Sequence, residues 1–151
     1  MTGRIHTIAA GADHAGFEYK QKIVELLRAK GLRVIDCGTS SPDSTDYPDY
    51  AHTVAQAVSG GKAELGILVC GSGIGMSIVA NKHRGIRAAS VESVAAARMA
   101  REHNNANVLA IGSRLTSWEK AKEILEEFLS SEFQGGRHQR RVDKIHEITD
   151  L

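Results

Sequence analysis

The sequence predicts an α/β fold: one domain over residues 1–151, built as a three-layer α/β/α arrangement with helices on both faces of a five-stranded parallel sheet. Three observations lead there. Short apolar runs rich in Ile, Leu, Val and Ala alternate along the chain with longer segments of helical periodicity. The joints between them are short and carry Gly, Pro, Ser or Asp. One run, Leu65–Cys70, is apolar throughout yet too short for a helix, as a strand buried on both faces must be.

In chain order, Ile5–Ala10 is the first strand. Ala15–Lys30 is a helix with Phe17, Ile23, Val24, Leu26 and Leu27 available for one buried face, and Gly31 stops it. Leu32–Asp36 is the second strand. The polar loop Cys37–Asp46, with Pro42 and several Ser and Thr, suits a connection or a lid. Tyr47–Ser59 is the second helix, with Pro48 tolerated in its first turn and Gly60-Gly61 closing it. Leu65–Cys70 is the third strand, and a third helix follows the turn Gly71-Ser72-Gly73-Ile74-Gly75. Ile86–Val91 is a short fourth strand, and Ser93–Glu102 a helix that Ser93 can cap. Val108–Ile111 is the fifth strand, and Ser117–Ser130 a helix rich in Glu and Lys on its outer face. After Gln134-Gly135-Gly136, the basic segment Arg137–Leu151 is helical, with Val142, Ile145 and Ile148 at helical spacing. Alternating strands and helices imply right-handed crossovers and a Rossmann-like sheet.

Composition narrows the function classes. The 151 residues, 42% hydrophobic and 25% charged, suffice for a core without disulfides or structural metal. A net charge of +1 with 5% aromatic residues gives no basic, aromatic-interleaved face for nucleic acid. No apolar run approaches membrane-spanning length, and residues 1–10 lack a signal peptide's core. The two cysteines, Cys37 and Cys70, have no second Cys or His at metal-ligand spacing, so reduced thiols in a cytoplasmic protein are expected. No cofactor is expected.

In parallel α/β sheets, ligands sit outside the carboxyl ends of the strands, where neighbouring connections run to opposite faces. Asp13 and His14 follow the first strand, the Cys70 loop follows the third and Arg114 the fifth, so all fall on that edge. Gly71, Gly73 and Gly75 let the backbone come close to a ligand and aim N–H groups at it, and a helix start adds positive potential. A thiol at such a lip is expected to be biased towards thiolate. One segment therefore offers an anion cradle and a reactive base. His103-Asn104-Asn105 instead follows a helix and precedes the fifth strand, which puts it at the opposite edge; if it is catalytic, a second subunit delivers it. The basic tail with Arg137, His138, Arg140 and Arg141 can reach a neighbour too.

Each feature has a plainer reading. The glycines depart from the dinucleotide-binding spacing and lack the Lys-Ser/Thr ending of a nucleotide P-loop. Cys70 lacks the following Arg of a Cys-dependent phosphatase. Cys37 is read as an inert core thiol, the arginine run as a solvated face, and His6, His52, His83 and His146 as histidines without companions.

The chain resembles the B-type ribose-5-phosphate isomerases and the related allose- and galactose-6-phosphate isomerases. The matching pieces are Gly11-Ala12-Asp13-His14-Ala15-Gly16-Phe17, Thr45-Asp46-Tyr47-Pro48, Cys70-Gly71-Ser72-Gly73-Ile74-Gly75 and Ala80-Asn81-Lys82. Further on come Gly85-Ile86-Arg87-Ala88, His103-Asn104-Asn105-Ala106-Asn107-Val108-Leu109, Gly112-Ser113-Arg114 and Gly135-Gly136-Arg137-His138-Gln139-Arg140-Arg141-Val142. They run in order from residue 11 to residue 142.

The resemblance implies a metal-free aldose-ketose isomerase that interconverts ribose 5-phosphate and ribulose 5-phosphate through an enediolate. Cys70 is then the base, and His103 the acid/base that opens the sugar ring. Ser72 and the backbone from Gly71 through Gly73 and Ile74 to Gly75 stabilise the oxyanion, about 3 kcal/mol per donor in comparable holes. Asp13, His14 and Asn104 hold sugar hydroxyls or the phosphate, Tyr47 lies near the sugar, and Arg114, Arg137 and Arg141 grip the phosphate. It also implies a homodimer with shared active sites, the C-terminal helix reaching the partner, and leaves pairing into tetramers open. Ser72 stands where many relatives carry Thr; relatives that lack the Cys use a Glu a few residues on, which Gly75 and Met76 do not supply. A six-carbon sugar phosphate is the nearest alternative substrate, and a non-catalytic sugar-phosphate-binding module the other class.

Overall fold

The structure is a computed structural model that describes residues 4–151; residues 1–3, part of the segment read above as lacking a leader, lie outside the described residues. Five strands form one parallel sheet: β1 (Thr7–Ala12), β2 (Arg33–Asp36), β3 (Leu65–Cys70), β4 (Ala88–Ser90) and β5 (Val108–Gly112), in the order β2-β1-β3-β5-β4. The helices are α1 (Phe17–Ala29), α2 (Tyr47–Ser59), α3 (Ile74–Ala80), α4 (Val94–Asn104), α5 (Trp118–Ser130) and α6 (Arg137–Thr149). From β1 the chain first moves outward to β2, then returns past β1 to β3. The strand order therefore reverses between β1 and β3, and a crevice opens beyond their carboxyl ends.

Side chains alternate between the two faces of each strand. Ile8, Ile67, Val69, Leu109 and Ile111 pack with Ile23 and Leu27 of α1, Ala97 and Ala100 of α4, and Ile124, Leu125 and Phe128 of α5. Ala9, Leu68, Cys70, Val108 and Ala110 face Val54 and Ala55 of α2 and Met76 and Ala80 of α3. The expected three layers are thus present. One buried residue of α1 is charged: Lys20, 2% exposed, bonds both oxygens of Asp36 at 2.7 and 2.9 Å, which ties α1 to the end of β2. Burying an ammonium is tolerable only with such a partner.

The structure moves several element boundaries. β1 lies two residues later than Ile5–Ala10 because Gly11 and Ala12 pair with Leu68 and Val69. β4 is only Ala88–Ser90, because the N–H of Arg87 donates to the Asn107 side chain at 2.8 Å while the carbonyl of Arg87 accepts from Asn107 N–H at 3.0 Å. Asn81 does similar work, its side-chain amide bonding both N–H and C=O of Ala88 at 2.8 and 3.0 Å. α4 runs to Asn104, so His103 and Asn104 sit in its last turn rather than in the connection, and Asn105 ends the helix in the left-handed region at φ 46°. Ser93 and Ser117 cap α4 and α5 through their hydroxyls, as read from the sequence for Ser93. On α6, Val142 is buried, but Ile145 and Ile148 of the same stripe are exposed. Among the described residues no helix is long and apolar enough to cross a membrane.

Candidate active site

Three loops meet at the carboxyl edge and interlock through backbone. Ser113 N–H and Arg114 N–H, just past β5, donate to the carbonyls of Cys70 and Gly71 at 2.8 and 3.0 Å. Ser113 Oγ donates to the Ala15 carbonyl at 2.7 Å, and Asp13 N–H to the Val69 carbonyl at 3.3 Å. The fit leaves no room for side chains at the crossing. A Cβ on Gly112 would lie 2.6 Å from the carbonyl carbon and oxygen of Ser72. We expect Gly112→Ala to destabilise the fold by about 2 kcal/mol, since backbone must shift to accept it; an unchanged denaturation midpoint contradicts this reading.

Within this frame lies a cavity of about 350 Å³ lined by Asp13, Tyr47, Cys70, Gly71, Ser72, Gly75, Arg114 and Leu115. Cys70 ends β3, is 4% exposed, and its Sγ accepts the Gly73 N–H at 3.0 Å. That bond depends on Gly73 standing in the left-handed region at φ 79°, where glycine has no steric cost. Ser72 Oγ accepts the Ile74 N–H at 3.2 Å, which leaves its own proton to donate. Two of the five amides expected in the cradle are therefore spent on the loop itself. Those of Gly71, Ser72 and Gly75 have no acceptor among the described residues. α3 has only seven residues, so its dipole adds less than the sequence reading supposed, and the unengaged N–H groups act beside the Arg114 guanidinium as the site's positive elements.

Asp13, 7% exposed, uses Oδ1 to accept the N–H groups of Ala15 and Gly16 at 3.0 and 3.1 Å, which leaves Oδ2 for the cavity. Tyr47 opens α2 and lays its ring against Gly75, where a Cβ would come within 2.6 Å of it. The Arg114 guanidinium lies over Gly71, 3.1 Å from where a Cβ would be. His14 does not line the cavity. Its Nδ1 accepts Thr45 N–H at 3.1 Å, so the ring proton of the neutral imidazole sits on Nε2 as a donor. Cys37 lies in the other class, as expected: burial, then the Asp36 carboxylate, pushes its thiol up, away from the reactive thiolate.

The remaining expected residues gather elsewhere. His103 stacks on His138 with ring centroids 4.5 Å apart and planes at 12°. Burial, the His103 ring and then the Arg137 and Arg141 guanidiniums hold His138 below the usual imidazole range. Arg137 and Arg141 themselves are exposed. Asn104 lines a different cavity, with Arg87, Ile145 and His146 among its walls. Because β5 begins four residues after Asn104, this group lies at the amino edge of the sheet, opposite Cys70. Sequence reasoning did not single out Leu115, Gly112, Ser113 or Thr45 as site residues. Gly112 and Ser113 lie in a motif quoted above, but only the packed backbone shows what they do.

The fold places the chain among α/β proteins whose ligands sit at the switch point of a parallel sheet. The chain belongs to the Ribose/Galactose Isomerase family, whose model matches residues 8–145. It is 50% identical to ribose-5-phosphate isomerase B of Escherichia coli K12 over 141 residues, 93% of this chain and 95% of that protein. The solved structure of Clostridium thermocellum ribose-5-phosphate isomerase B superposes with a TM-score of 0.94 at 48% identity, over 95% of this chain and 97% of that one. The Mycoplasma genitalium ribose-5-phosphate isomerase B, solved with bound ribulose-5-phosphate, gives 0.93 at 42% identity, over 96% and 97%.

Proposed function

We propose that this chain is a ribose-5-phosphate isomerase, interconverting D-ribose 5-phosphate and D-ribulose 5-phosphate through an enediolate, with Cys70 as base. The observation that carries the reading is that Cys70 lines one cavity with Ser72, whose hydroxyl is free to donate, beside three unengaged amides. A proton on carbon next to a carbonyl is weakly acidic, so a base alone is slow; donors that meet the forming oxyanion lower the barrier. A protein that only bound sugar phosphate would need no base there.

In this mechanism His103 moves the proton that opens the furanose, and Cys70 takes the proton from C2 and returns it to C1. Ser72 and the amides of Gly71 and Gly75 hold the enediolate oxygen. Asp13, Tyr47 and Asn104 hold sugar hydroxyls, while His14, Arg114, Arg137 and Arg141 hold the phosphate. The cradle residues and the His103 group lie at opposite edges of one sheet, which supports a homodimer whose sites are shared, Cys70 from one copy and His103 from the other. The exposed Ile145 and Ile148 on α6 leave apolar surface for such a partner. A phosphate dianion does not cross a lipid bilayer unaided, so the enzyme works in the compartment that holds its substrate, which the reading places in the cytoplasm.

Mixing Cys70→Ala and His103→Asn subunits tests the shared site. Each variant alone should turn over ribose 5-phosphate at about a hundredth of the wild-type rate or less. Statistical heterodimers, half of the mixture, carry one intact site of two, so about a quarter of wild-type turnover returns; no recovery after verified subunit exchange overturns the arrangement. The family's description keeps a six-carbon sugar phosphate in view, and allose 6-phosphate turned over faster than ribose 5-phosphate would favour it.

A further inference from the structure

Arg87 has no part in the chemistry just described, yet its side chain is committed at every nitrogen. Nε donates to the carbonyls of Asn104 and Asn105 at 3.1 and 3.0 Å, and Nη2 to Asn105 again at 2.8 Å. Nη1 meets the Gly85 carbonyl at 3.4 Å and His146 Nε2 at 2.9 Å. A guanidinium only donates, so His146 Nε2 accepts, and its Nδ1 proton goes to the main-chain oxygen of Leu151 at 2.6 Å. The Arg87 backbone is pinned as well, between the side chain and N–H of Asn107.

The carbonyls that Arg87 holds are among those a helix leaves without partners at its C-terminus. They follow directly on His103 and Asn104, in the last turn of α4 and its left-handed cap. A half-buried cation there also meets the negative end of the helix. Neither Arg87 nor the neighbouring Arg101 has a carboxylate partner within 4 Å among the described residues. Both are lowered from the usual guanidinium range, Arg87 by burial and Arg101 by burial and then by Arg87. The site thus accepts two desolvated cations for the sake of carbonyl contacts, which a lysine's single ammonium could not reproduce. Through His146 the same guanidinium reaches α6, the helix that carries Arg137, His138 and Arg141. The His103–His138 stack is a second tie between the same two helices.

We propose that Arg87 is a positioning residue: it clamps the end of α4 to α6, so that His103 and Asn104 are presented with Arg137 and Arg141 as one rigid unit. The inference rests on the reading of His103 as the ring-opening group. Displacing a reacting group by about 1 Å costs on the order of a hundredfold in rate. Loss of the clamp therefore slows ring opening and loosens the hold of Asn104, Arg137 and Arg141 on substrate, but does not move Cys70, at the opposite edge.

The test measures two rates on the full-length protein. One is turnover of ribose 5-phosphate; the other is deuterium uptake at C1 of ribulose 5-phosphate in D2O, which needs the base but no ring opening. Arg87→Lys should lower the first by roughly a hundredfold and leave the maximal rate of the second, at saturating ribulose 5-phosphate, near wild type. His146→Ala, which removes only the outer anchor, should give a smaller loss in the same sense, and His146→Gln, whose carbonyl can accept from Arg87, should restore it. The double variant Arg87→Lys/His103→Asn should be no slower than His103→Asn alone, because Arg87 acts through that ring. Equal loss of turnover and deuterium uptake, or additive losses in the double variant, would show a general structural role and overturn the proposal. If His103→Asn is impaired while Arg87→Lys is not, the clamp alone is wrong; if His103→Asn turns over ribose 5-phosphate normally, the reading of His103 fails and takes the clamp with it.

Discussion

Cys70→Ala should lower turnover of ribose 5-phosphate by about 10³-fold, the scale of a removed general base, while calorimetry still registers ribose 5-phosphate binding. The substitution removes one sulfur from a buried position and frees the Gly73 N–H that donated to it. An unpaired buried donor costs about 1–3 kcal/mol, so the variant should melt lower yet remain folded at assay temperature. Deuterium uptake at C1 of ribulose 5-phosphate should stop in the same variant, because Cys70 is the assigned base and Asp13 Oδ2, the other anionic oxygen open to the cavity, is assigned to a sugar hydroxyl. Asp13 has one carboxylate oxygen occupied by its own turn. Turnover that survives Cys70→Ala in the folded protein overturns the assignment of the base.

His103→Asn should produce a different defect. Ribulose 5-phosphate is open-chain by constitution: the C5 oxygen that would close a five-membered ring on C2 carries the phosphate. Ribose 5-phosphate closes through its C4 oxygen and must be opened. A variant without the ring-opening group therefore consumes only the free aldehyde that forms in solution. Its turnover of ribose 5-phosphate should fall by about 10²-fold or more and, at high enzyme, become independent of enzyme concentration as spontaneous opening limits it. Deuterium uptake from ribulose 5-phosphate should continue. Concentration-proportional turnover of ribose 5-phosphate at the wild-type rate would remove His103 from the mechanism.

The two variants probe regions that differed in how well they could be read from sequence. The carboxyl-edge cradle was legible because its signals are local: an apolar strand, a cysteine and alternate glycines lie within a few residues, and the switch-point rule adds Asp13 and Arg114. Helix α2 matched its expected bounds because Pro48 and the Gly60-Gly61 pair punctuate it. What escaped depends on contacts distant in the chain. His52 and His83, read as histidines without companions, lie with ring nitrogens 2.7 Å apart across 31 residues. His146 meets Arg87 across 59. Lys20 occupies the α1 face predicted to be apolar, and only the position of Asp36 at the end of β2 makes that tolerable. Phe17 and Leu26, assigned to the same face, are half-buried. The shortening of β4 likewise followed from Asn107, a polar side chain that takes the Arg87 N–H from the ladder and carries no periodic signal.

Asn81 has a consequence for how copies of this chain can meet. β4 is an edge strand of three residues, and its outward N–H and C=O at Ala88 are already taken by the Asn81 amide. The other edge, β2, has four residues. A second molecule arriving at β4 finds that pair of bonds closed, so the sheet is a poor template for growth strand by strand. Any meeting of two copies is thereby steered from the β4 edge towards the helical surfaces, and open-ended stacking along that edge is disfavoured.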